Sequence, residues 1–104
     1  MEIEMFENRQ IEEKNGQIVV LYGRRGINDG ETYWFEDVGF TLWVKKEGDI
    51  YRVLKRSYSV SHMNFNGEEK ISEFKGDWIE EVAKTTTRKG AEAIMKVFAE
   101  YGLD

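Results

Sequence analysis

The sequence predicts an α+β fold: an antiparallel β-meander of about four to five strands (residues 2–61), followed by one or two C-terminal helices (about 77–101) packed on one face. Three observations predict it. Through the first two thirds of the chain the apolar residues follow a period near two, broken by turn pairs such as Asn15-Gly16 and Gly48-Asp49. From Ala91 onward the period changes to that of a helix, with Ala91, Ile94, Met95, Phe98 and Tyr101 on one stripe. No linker, repeat or low-complexity run separates the two regions, and 104 residues suit one domain, 1–104.

Ile3 and Met5 alternate with Glu2 and Glu4, as in a half-exposed edge strand over 2–7. Asn15-Gly16 tolerates the two positive φ angles of a type I′ hairpin turn. Ile18-Val19-Val20-Leu21-Tyr22 is apolar on both faces, which marks the most buried strand. Gly23–Gly30, with three glycines and Asn28-Asp29, reads as a loop whose exposed tip carries Arg24 and Arg25. From Thr32 to Lys46 a strand sets Phe40, Leu42 and Val44 on one face and Thr41 and Trp43 on the other, with Gly39 marking a bulge or bend. A turn at Lys46–Asp49 leads into a strand from Ile50 to about Ser61. Adjacent Val53 and Leu54 leave its register open. Asn64–Gly67 then closes the β region. Asp77-Trp78-Ile79-Glu80 has the form of a capping box. Thr85–Gly90 is a poor helix interior, so two helices are favoured over one kinked helix. Gly102 ends the last helix, and its Ala91–Tyr101 stripe is the face that covers the sheet.

Composition removes several function classes. Without cysteine there are no disulfides, thiolate zinc sites or cysteine nucleophiles, and a reducing cytoplasm is the expected location. No apolar run is long enough to span a bilayer, and the acidic start of the chain is unlike a secretory signal. The net charge of −5 disfavours non-specific nucleic-acid binding, but residues 45–60 carry five basic residues against two acidic ones.

Chemistry-bearing residues are few. His62 is the only imidazole, and no nucleophile elbow surrounds Ser57, Ser59 or Ser61. The glycine loop lacks phosphate-loop spacing, whereas paired arginines between glycines suit the carboxylates of a partner. Glu31, Glu36 and Asp37 bracket the aromatic patch Tyr33-Trp34-Phe35. The Glu-x-Lys triplets at Glu12/Lys14, Glu68/Lys70 and Glu73/Lys75 are of the kind a chain this rich in both residues contains by chance.

Three readings follow. The first is a non-catalytic protein-binding module, a small inhibitor or accessory protein of phage-encoded or immunity type. It needs no cofactor and occupies a larger partner's surface through Arg24, Arg25, Tyr33 and Trp34. The second is a single-stranded nucleic-acid-binding accessory domain using the 43–58 hairpin, where Trp43, Tyr51 and Tyr58 interleave with Lys45, Lys46, Arg52, Lys55 and Arg56. The third is a small metal-dependent hydrolase using Glu31, Glu36, Asp37 and His62.

Overall fold

The computed structural model describes residues 2–28 and 33–102. Five strands, β1 (Glu4–Lys14), β2 (Gln17–Asn28), β3 (Tyr33–Glu47), β4 (Ile50–Phe65) and β5 (Glu68–Thr85), precede one helix, α1 (Arg88–Tyr101). The strands lie side by side in chain order, each antiparallel to the next, so the sheet is a meander with β1 and β5 as its edges. This is the expected α+β arrangement.

The tight turns follow from local chemistry. Asn15 and Gly16 have φ of 54° and 75°, and Asn66 and Gly67 have 53° and 81°, as two-residue I′ turns require. Gly48 alone takes positive φ in its turn. At Gly39 the backbone of β2 passes so close that a side chain would enter it, and β2 bulges directly opposite, at Tyr22.

The structure corrects the sequence reading in two segments. Gly23–Gly30 is not a loop as far as Asn28: Gly23–Asn28 extend β2 and pair with Val38–Tyr33 of β3, while Gly30 lies outside the described residues. Its glycines mark close approach, since a Cβ on Gly26 would meet the Trp34 carbonyl and one on Gly23 the Ile3 side chain. Likewise, Asp77–Glu80 does not start a helix. The Asn66-Gly67 turn sends the chain back along β4, and β5 runs through this segment to Thr85. A capping box with an apolar face only four or five residues long nucleates weakly, and the ladder to β4 wins. β5 absorbs the mismatch in bulges, one of which places Gly76–Trp78 opposite Ser57 and leaves Trp78 80% exposed.

Among the described residues there is therefore one helix. The threonine run is its cap: the Thr87 hydroxyl accepts from the Gly90 amide at 3.1 Å, and the Ala91 amide donates to the Thr87 carbonyl. At the other end the Arg9 guanidinium donates to the Ala99 carbonyl at 3.0 Å, a cation where the helix dipole favours one. The stripe is also shifted in phase. Ala91, Met95 and Ala99 are buried with Phe98 beside them, while Ile94 and Tyr101 face outward. Small residues on the buried line bring α1 close to the sheet, where it seals Ile18, Val20, Phe40, Leu42 and Val53.

β3, β4 and β5 have 15, 16 and 18 residues, whereas α1 has 14. At about 3.3 Å per strand residue and 1.5 Å per helix residue, α1 spans less than half the length of the sheet. The molecule measures 54 × 24 × 21 Å. One end of the sheet is thus covered by α1. The other, built from 23–28, 33–38 and 57–76, is open. Among the described residues no helix is long and apolar enough to cross a membrane.

Candidate partner-binding surface

At the open end, register dictates the ion pairs. Arg24 lies opposite Asp37 and Arg25 opposite Glu36. Arg24 grips Asp37 with two bonds, Nε to Oδ1 at 2.6 Å and Nη2 to Oδ2 at 3.2 Å, and Arg25 Nε donates to Glu36 Oε2 at 3.0 Å. Both carboxylates are buried while both guanidinium groups stay partly open to solvent. The hydrogen bond to Asp37 raises the Arg24 pKa and keeps its charge fixed. Burial pushes Glu36 up, but the neighbouring Ser59 hydroxyl and Arg25 together pull it below its ordinary value. The arginines therefore grip carboxylates of their own chain.

Asp37 shares a sheet face with an aromatic group. Phe35 lies opposite His62 and the two rings stack at 4.4 Å and 13°, while Tyr33 meets Phe35 edge-on at 5.6 Å. The Arg24 guanidinium sits 4.3 Å over the Phe35 ring and 5.7 Å over that of Phe6. His62 Nδ1 lies 3.5 Å from Glu69. Because side chains alternate along a strand, Arg25, Trp34 and Glu36 fall on the opposite face. The four expected contact residues are thus divided: Arg24 and Tyr33 on one side, Arg25 and Trp34 on the other. Phe35 and His62 complete the first group, and the sequence reading did not assign them to it.

The basic hairpin is divided in the same way. Trp43, Lys45, Arg52, Arg56 and Tyr58 share the face of Asp37; Lys46, Tyr51 and Lys55 share the face of α1. Its cations are engaged within the chain. Lys45 and Arg52 pair with Glu47, Arg52 also pairs with Glu81, and Arg56 lies 5.3 Å over Trp43. Lys46 lies 5.8 Å over Tyr51. Lys55 is 6% exposed, its Nζ 3.1 Å from Glu80 and near the Phe40 and Phe98 rings, out of reach of a phosphate backbone.

Tyr58 borders a hollow of about 330 Å³ with Arg56, Glu73 and Lys75. Burial, and then its hydrogen bond to Glu73, push its phenol from 10.0 to about 12. A raised phenol favours the folded state while it stays neutral. That stabilisation is complete below pH 10 and is lost as the pH climbs to about 12. In urea titrations, Tyr58→Phe should flatten the fall in stability over that window; an unchanged slope would contradict this environment.

The acids expected for a metal site do not converge. Glu36 and Asp37 point to opposite faces, each toward an arginine, and Glu31 lies outside the described residues. Among the described residues no three His, Cys, Asp or Glu side chains gather into a group that could hold a metal ion. No family model matches the chain, and comparison with curated proteins and with solved structures finds no match.

Proposed function

We propose that the protein is a non-catalytic binding module that occupies a surface of a larger protein partner, as a small inhibitor or accessory protein of phage-encoded or immunity type acting in the cytoplasm. One observation carries the reading: at the end that α1 leaves uncovered, Tyr33, Phe35, His62 and Arg24 form a stacked group fixed from below by the buried Asp37 carboxylate. Aromatic and arginine side chains held rigidly at a surface are the composition of binding hot spots, because little freedom is left to lose on association. Tyr33, 48% exposed, is the anchor. Arg24 supplies an oriented guanidinium edge, and Trp34 lies on the other face, away from this group.

The test is affinity capture from a host lysate with the full chain as bait, followed by binding measurements on the captured protein. Tyr33→Ala should weaken binding by about 2 kcal/mol, roughly thirtyfold, with the circular dichroism spectrum unchanged. Trp34→Ala should weaken it far less. Equal affinity of wild type and Tyr33→Ala would refute the surface assignment.

A further inference from the structure

β5 is an edge strand of 18 residues, and its outer side has no neighbour in the sheet. Natural edges are usually shortened, bulged, charged or blocked by proline. β1 follows that pattern, since its register breaks between Met5 and Gln10. The first half of β5 is guarded by charge alone, with Glu68, Glu69, Lys70, Glu73 and Lys75 along it. From Glu68 opposite Phe65 to Lys75 opposite Tyr58 it pairs with β4 without a shift, and every side chain in it is exposed, Ile71 at 62% and Phe74 at 61%.

We infer that Glu68–Lys75 pairs with the same segment of a second copy of this chain, antiparallel about a two-fold axis at Ser72. The sequence of the strand selects both the occupant and the register. A two-fold axis perpendicular to a continuous sheet preserves faces, so residues opposite each other must have the same parity, and the axis must pass through a residue. An axis at Ile71 sets Glu69 against Glu73. Axes at Lys70, Glu73 and Lys75 set a charged residue against itself. An axis at Phe74 carries the pairing into the bulge at Gly76–Trp78. It would set Glu73 against Lys75 but keeps only three residues in the regular segment, whereas the axis at Ser72 puts opposite charges together and keeps seven, Glu69–Lys75. Glu69 meets Lys75, Lys70 meets the ring of Phe74, and Ile71 meets Glu73, each twice by symmetry. Glu73 already turns its carboxylate to the Tyr58 phenol, which leaves its stem for Ile71. The assembly is one continuous sheet across both copies. The edge adjoins the Tyr33–Arg24 group, since Glu69 lies 3.5 Å from His62, but Lys75→Glu and Ser72→Cys lie away from that contact and test the dimer separately from the partner-binding reading.

Sedimentation equilibrium of the full chain should show a monomer–dimer equilibrium. Lys75→Glu sets glutamates together twice and should raise the dissociation constant about tenfold or more, as should Glu69→Lys. The double exchange Glu69→Lys/Lys75→Glu should restore it. Because the chain has no cysteine, Ser72→Cys provides an independent readout. Cross-strand Cα atoms about 4.5–5.5 Å apart lie within disulfide reach, so mild oxidation should yield a covalent dimer, whereas Glu68→Cys should not. A chain that stays monomeric at every concentration, or a dimer indifferent to the charge exchanges or not captured by Ser72→Cys, would overturn the inference.

Discussion

Gly39→Ala should remove a large part of the stability of the chain and lower its unfolding midpoint sharply. A Cβ at this position would overlap the Val20 carbonyl oxygen, and it would lie 2.7 Å from the Val20 carbonyl carbon and 2.9 Å from Leu21 Cα. These are backbone atoms of a central strand and have no rotamer to escape into. To admit the methyl group, β2 must draw away from β3, which breaks the pairing of Ile18–Leu21 with Gly39–Leu42 and opens the buried cluster. Overpacking of this kind at a backbone contact costs on the order of 4 kcal/mol or more, against about 5–15 kcal/mol for a whole domain. Urea unfolding followed by fluorescence measures it. Gly16→Ala is the control: nothing lies within 4 Å of its Cβ, and only its φ of +75° opposes a side chain, at roughly 1 kcal/mol. Equal midpoints for the two variants would show that β2 and β3 do not approach so closely.

Phe40→Ala should be the second most damaging change, costing about 4 kcal/mol. Phe40 is fully buried between sheet and helix. Its ring meets Phe98 edge-on at 5.4 Å and Tyr22 at 6.2 Å, and Lys55 Nζ lies 5.9 Å from its centre. Its loss removes the main aromatic contact between α1 and the strands, so hydrogen exchange should show α1 amides losing protection before those of β3. Phe40→Leu preserves most of the volume and should cost only about 1 kcal/mol. Uniform loss of protection in Phe40→Ala would show that α1 does not depend on this ring.

The parts of the fold legible in the sequence were those set by neighbouring residues. Asn15-Gly16 and the alternation around Phe40 and Leu42 each specify their structure locally, as does the helical spacing after Ala91. Gly23–Asn28 misled because glycine serves loops and crowded strands alike; only the approach of Ile3 and Trp34 distinguishes them. Asp77–Glu80 misled because its helical signal is real but short, and its outcome depends on the long pairing to β4. For the helix, spacing identified a stripe but not its phase, which the small residues Ala91 and Ala99 decide by letting the backbone come close. Part of the candidate surface was within reach. A two-residue turn at Gly48-Asp49 pairs Glu47 with Ile50, and counting outward without a shift pairs Phe35 with His62. The Arg24–Asp37 pair was not within reach, since its register depends on the bulge at Tyr22.

The order of the strands has a kinetic consequence. Each strand bonds to the one made just before it, so every step of sheet formation closes a short loop and carries little entropic penalty. Hairpins of this kind zip outward from their turns. The exceptions are the contacts of α1 with the early strands, where Phe98 meets Phe40 and Arg9 reaches Ala99 across 90 positions. The topology therefore favours a series of local closures and places the largest entropic cost at the seating of the last segment across the first strands.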